Sequence, residues 1–293
     1  MQYVIAVFSA LLPAFFLVGY VWFRDKNKRE PIKEVLRGVW NGVLSIVLAL
    51  MIVSPCTWLQ QLLPFFAEGN GIWGAVGTAF LSAAIPEEIA KFVMFRSLVK
   101  ENRYFDERMD GVVYAAAVSM GFAGVENVLY LLDKLDALLG LGLIRALFSV
   151  PGHFFYAVFM GYFYSLACFG DGRKKGLNYV LALLVPIILH GVFDSLLFVM
   201  PHITPIWVLL VLILFVAFNI WINVMAHKRM RIVLKADEDM FATQAAEASV
   251  AQQIGVMTEV QSKVSFGTEM EIPTGEHMPT EQTEPTELSA PLE

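Results

Sequence analysis

Pro86-Glu87-Glu88-Ile89-Ala90-Lys91 interrupts an apolar run, Trp73 to Leu98, that is long enough to cross a membrane. Two adjacent carboxylates and an ammonium do not belong in hydrocarbon. Each such charge at mid-bilayer costs about 2.5–3.5 kcal/mol on insertion scales. Other buried polar groups of the chain must offset three of them. Glu87 and Lys91 are spaced i,i+4, with the acid N-terminal, the favourable order. Glu88 and Lys91 are i,i+3, so the lysine can serve either acid. The two acids lie about 100° apart around a helix. Both can face one cavity only at its edges. Pro86 lacks an N–H and kinks this span just above the acids.

Outward from this stretch the chain is apolar throughout. Of its 293 residues 57% are hydrophobic and 16% charged, against about 45–50% and about 25% in soluble domains. The expected fold is an all-α polytopic bundle of about seven transmembrane helices. The apolar runs are Tyr3–Phe23, Gly38–Leu63, Trp73–Leu98, Gly111–Leu132, Gly142–Phe169, Leu177–Met200 and Ile206–Ala226. Each is about as long as the roughly 20 residues needed to span the hydrocarbon. The first has an uncharged start and a basic flank, so it reads as a span and not as a cleaved leader. Basic residues gather in alternate loops: Arg24 to Lys33, Lys100 to Arg108, Arg173 to Lys175 and Lys228 to Lys235. The opposite loops hold Lys134 and little else. The positive-inside rule then puts the N-terminus outside and the C-terminus in the cytoplasm. Most basic residues sit in short loops, as membrane topology requires, and nothing points to a nucleic-acid partner. Cys56 and Cys168 lie in apolar runs without metal-ligand spacing and read as small buried hydrophobes.

Two parts follow from composition. Residues 1–235 form the helical domain, with its chemistry concentrated in 73–200. Residues 236–293 carry twelve acidic residues and one basic residue, Lys263, and read as an acidic cytoplasmic tail. A weak helix fits Asp237 to Val256. From Thr268 the tail is rich in Pro, Thr and Glu and reads as disordered, with too little apolar surface to offset chain entropy.

Four consecutive spans carry ionisable groups. Span three has Glu87, Glu88 and Lys91, and span four has Glu126 beside Asn127. Span five has His153, and span six has His190 and Asp194. At 1.5 Å per residue Glu87 lies about 20 Å and His153 about 16 Å from the outer face. His190 lies about 20 Å and Glu126 about 22 Å from the inner one. All fall between the bilayer middle and its outer half, so they can line one cavity open to the outside. His190 and Asp194 are i,i+4, which lets the carboxylate orient the imidazole.

Two histidines with several carboxylates can activate water. His153 and His190 with Glu88 or Glu126 would make a three-ligand zinc site with an open position. Without a metal, a glutamate and a histidine can deprotonate water for attack on an amide, with Asn127 among the donors for an oxyanion. There is no HExxH, so the ion is not specified. No serine sits in a nucleophile motif. Buried Glu, Lys and His relays also serve ion-coupled transporters, which would show inverted repeats. A non-catalytic membrane sensor or scaffold working through the acidic tail is the third reading.

Pro86 to Phe92 resembles the EExxK motif of the PrsW family of intramembrane proteases. Asp110-Gly111-Val112-Val113-Tyr114 followed by Gly121 to Asn127 resembles that family's second motif. His153, and His190-Gly191-Val192-Phe193-Asp194, match its two histidine regions. The family is distantly similar to the CAAX-processing membrane proteases, whose motif is EExxxR. The chain departs from the pattern at Ala115, where Gly is expected, and at Pro151-Gly152 before His153. The resemblance implies a protease of the bacterial cell membrane that cuts a single-pass, membrane-anchored protein of the anti-sigma-factor kind on its outer side. By motif, Glu87, Glu88, Glu126, His153 and His190 are its catalytic candidates. Lys91 balances charge, Asp194 orients His190 and Asn127 supports.

Overall fold

A computed structural model describes residues 2–26, 28–134 and 138–268, and its regular elements there are all helical. They are α1 (Gln2–Arg24), α2 (Ile32–Leu62), α3 (Gly71–Gly77), α4 (Ile85–Val99), α5 (Arg108–Asp133), α6 (Leu138–Ile144), α7 (Val150–Phe169), α8 (Lys175–Phe198) and α9 (Pro205–Thr268). Six helical stretches are long and apolar enough to cross a membrane. The third expected span does not form one uniform helix. It is α3 and α4 joined by a π-helical segment, Thr78–Ala84. A second π segment, Arg145–Ser149, joins α6 to α7.

Both π segments have the same cause. Pro86 and Pro151 sit in the first turn of α4 and α7. A proline ring clashes with the carbonyl four residues earlier. Those residues, Ser82 and Leu147, lie inside the widened turns. Gln60 of α2 braces the first. Its amide donates to the Thr78 hydroxyl at 3.0 Å, and its carbonyl accepts from Ser82 at 2.7 Å. Single-turn π widenings are frequent at functional sites.

The central helix is α5, buried without a gap from Met109 to Gly124. Its small residues let neighbours reach its backbone. A Cβ on Gly42 of α2 would stand 1.9 Å from the Val118 carbonyl oxygen, and one on Gly121 would stand 2.0 Å from that of Val39. Gly161 of α7 meets the Gly111 carbonyl in the same way, at 2.2 Å. These contacts lock α2 and α7 against α5. Large apolar side chains of α1, α2 and α9, among them Phe8, Phe16, Trp58 and Trp207, are exposed. Lipid is as apolar as they are, so nothing drives them inward. Cys56 is half-buried and Cys168 is exposed, so the expectation of two buried cysteines fails. Their faces look outward from α2 and α7.

The chain divides into two units, Met1–Phe241 and Ala242–Glu293. The first is the bundle. In the second, the described side chains are exposed. The expected seventh span and the weak helix after it are one element, α9, because no proline falls between Pro205 and Pro273 and no glycine before Gly255. Residues 269–293, the bulk of the tail expected to be disordered, lie outside the described residues.

Candidate active site

The first turn of α4 aims Glu87 and Glu88 into the bundle, and Lys91 follows one turn later, buried. The Lys91 ammonium donates to Glu88 Oε1 at 2.8 Å and Glu87 Oε2 at 3.2 Å. It also lies 3.0 Å from His153 Nδ1 and 4.1 Å from the centroid of the Phe122 ring. Beside an ammonium, Nδ1 of His153 accepts, so Nε2 carries the hydrogen. That Nε2–H donates to Glu126 Oε2 at 2.9 Å. On α8, His190 Nδ1 lies 2.9 Å from Glu88 Oε1, and Nε2 lies 3.3 Å from Asp194. The two imidazole rings meet edge to face at 5.1 Å.

These contacts draw four elements together. α4, α5, α7 and α8 each send an ionisable group to one place. A cavity of about 200 Å³ lies there, lined by Glu87, Glu126, His153, His190 and Asp194 among others. Glu88 is absent from its wall. Its side chain is 1% exposed against 16% for Glu87. The two acids, equivalent in the sequence, therefore occupy different positions. Glu87 faces the cavity, and Glu88 stands behind it, holding Lys91 and His190.

Asn127 is fully buried and lies off the cavity wall. Its amide nitrogen donates to the Ala10 carbonyl and its oxygen accepts from Arg145 Nε at 2.7 Å. The expectation of Asn127 as an oxyanion donor meets this geometry: its carbonyl oxygen and one amide hydrogen already serve the packing of α1 and the second π segment. Two side chains the sequence reading passed over take part instead. Arg145, in that π segment, lies 3.2 Å from Glu126 and 4.0 Å over the Tyr130 ring. A lone arginine inside an apolar run was its signal. Tyr156 stacks on His190, its hydroxyl buried and without a partner among the described residues. No sequence signal marked it, since α7 is rich in aromatics.

The donor set suits a zinc-type ion. Ligand atoms of Glu87, Glu88, His153 and His190 lie within 4.8 Å of one another, and imidazole with carboxylate is a hydrolytic zinc donor set. In this structure the Lys91 ammonium contacts three of the four, so an ion bound there would have to displace it.

A model described as the PrsW family of intramembrane metalloproteases matches residues 30–222. The chain belongs to the PrsW family. It is similar to Protease PrsW of Geobacillus kaustophilus (strain HTA426), 37% identical over 190 residues, which cover 64% of this chain and 78% of that protein. It is similar to Protease PrsW of Clostridioides difficile (strain 630), 32% identical over 71% of this chain and 83% of the other. Protease PrsW of Bacillus subtilis (strain 168) is 32% identical over 78% of this chain and 97% of its own. No solved structure matches the chain. Membership of the PrsW family, with the buried Glu/His cluster, makes this chain an intramembrane protease and sets aside the carrier and scaffold readings. The match takes in every ionisable residue of the cavity.

Proposed function

We propose that this cavity is the peptidase site and that Glu87 is its general base. The observation that carries the reading is the convergence of Glu87, Glu126, His153 and His190 on one enclosed space inside a membrane bundle. Glu87 accepts a proton from water as the water oxygen bonds to the scissile carbonyl carbon. It returns that proton to the nitrogen as the C–N bond breaks. Glu88 keeps Lys91 and His190 in place. Glu126 orients His153, and Arg145 offsets the charge of Glu126. The Tyr156 hydroxyl, without another partner among the described residues, is the donor for the developing oxyanion. A zinc-type ion held by His153, His190 and Glu88 would supply Lewis-acid polarisation at this place.

The substrate is a single-pass protein anchored in the same bilayer, of the anti-sigma-factor kind, cut on its outer side. Residues 1–235 are the catalytic domain, crossing the bacterial cell membrane seven times with the N-terminus outside. Residues 236–293 are its cytoplasmic tail. Support for this topology comes from the loop lysines and arginines.

The test is cleavage of a single-pass substrate in proteoliposomes. Glu87→Gln should lower the rate by about 10²- to 10⁴-fold and leave thermal unfolding nearly unchanged. Wild-type cleavage by Glu87→Gln would remove the assignment. Zinc content measured on the same preparations, before and after chelation, decides whether the ion belongs to the site.

A further inference from the structure

A second set of carboxylates lies at the N-terminal end of α5, sixteen residues and about 24 Å of helix away from Glu126. Asp25 follows α1, Glu30 lies in the α1–α2 connection, Glu107 and Asp110 open α5, and Asp237 comes from α9. All five are buried, none more than 3% exposed.

Two of them, Asp237 and Glu30, are accounted for. Asp237 accepts from the backbone N–H groups of Arg108 and Met109 and pairs with the Arg108 guanidinium at 3.3 Å. Glu30 accepts from the Tyr114 hydroxyl. Glu107 stands at the N-cap of α5, and both of its carboxylate oxygens are buried without a hydrogen bond among the described residues. Asp110 uses one oxygen, Oδ2, for the N–H groups of Asp106 and Glu107. Lys26, next to Asp25 in sequence, is exposed, and Lys28 pairs with Asp106. What remains is a surplus of acceptors. Both oxygens of Asp25, both of Glu107 and Oδ1 of Asp110 are buried without a hydrogen bond among the described residues.

Burying an unpaired carboxylate is costly unless a proton or a cation accompanies it. Burial, reinforced by the charges of Asp25 and Asp237, pushes the Glu107 carboxyl up to about 8. The geometry favours more than protons. One oxygen each of Asp25, Glu107 and Asp110 lies within 4.8 Å of the others, close enough for one ion to reach all three. The donors are all oxygen, which selects a hard ion over zinc. We propose that Asp25, Glu107 and Asp110 bind one hard divalent cation, calcium or magnesium, which ties the end of α1 to the start of α5. Through α5 the ion steadies the helix that carries Glu126. The site is separate from the Glu/His cluster and does not depend on the catalytic reading.

Full-length protein in detergent, stripped with chelator, is the material for the test. Terbium is the probe, since Trp22 donates to the Glu30 carbonyl at 2.7 Å and lies close enough to sensitise its emission. Wild type and His190→Ala, which disables the other cluster, should both give the emission. Trp22→Phe should dim it, and Asp25→Asn should weaken binding about tenfold or more. Displacement by calcium alone assigns calcium. Displacement by magnesium as well assigns the wider class. Saturating ion should raise the melting temperature of wild type by about 5 °C or more. In chelator, Asp25→Asn should melt no lower than wild type, because it removes repulsion, and it should gain nothing from either ion. A merely structural Asp25 would give the opposite sign. Glu107→Gln is read in its place if Asp25→Asn does not fold. No displacement by either ion, or an equal ion-dependent gain in Asp25→Asn and Glu107→Gln, overturns the proposal.

Discussion

Two buried clusters of acids occupy α5, one near each end, and they are balanced in different ways. Around Glu126 the chain supplies its own counter-charges. Lys91 serves Glu87 and Glu88, and Arg145 serves Glu126, to which the neutral His153 donates a hydrogen bond. Around Asp110 the one buried contact with a cationic side chain is Arg108 on Asp237, among the described residues. A site that must hold water and a peptide near its acids has to fix them with internal cations. A site whose acids are left in surplus is arranged to take its cation from outside.

The comparison can be broken most sharply at Glu88. Glu88→Gln leaves Lys91 and His190 short of a buried partner, and breaking such a pair costs about 3–5 kcal/mol. Denaturant or thermal unfolding in detergent measures it. A loss below about 1 kcal/mol would mean that the internal cations are not what stabilises this end. Next comes a change that touches no charge. Gly121→Ala forces a Cβ against the Val39 carbonyl and should cost about 1–3 kcal/mol. If it lowers cleavage as much as Glu87→Gln does, helix spacing and not charge governs the site. Arg145→Lys keeps the charge but loses the Nε–H to Asn127 and the flat stacking over Tyr130. About 1 kcal/mol is expected, read as a modest drop in cleavage. The smallest effect is expected for Asp237→Asn. Loss of its charge on the α5 amides should cost about 0.5–1 kcal/mol, partly offset by relief of repulsion. A large loss there would show the acid end to be better balanced than its contacts suggest.

The end around Glu126 was largely legible because charge in hydrocarbon is conspicuous. Glu87, Glu88, Lys91, Glu126, His153, His190 and Asp194 stand out against apolar neighbours. The i,i+3 and i,i+4 spacings already paired Lys91 with both acids and His190 with Asp194. Arg145 carried the same signal near the edge of a span and was passed over. The other end was illegible for the converse reason. Asp25, Glu30, Glu107 and Asp237 lie beside helix termini and basic loop residues, where charge is ordinary and solvated.

What the sequence by itself determined was periodicity and composition: membrane helices, their order, and which of them carry ionisable groups. Such properties are local, set by apolar length and by residues three or four apart. Only the tertiary structure decided that Glu87 rather than Glu88 meets the cavity, that Lys91 reaches across to His153, and that five acids from distant parts of the chain share one buried place. Those outcomes depend on how α4, α7 and α9 rotate against α5. That rotation follows from contacts distant in sequence, such as the glycine crossings at Gly42 and Gly161 and the widened turns before Pro86 and Pro151.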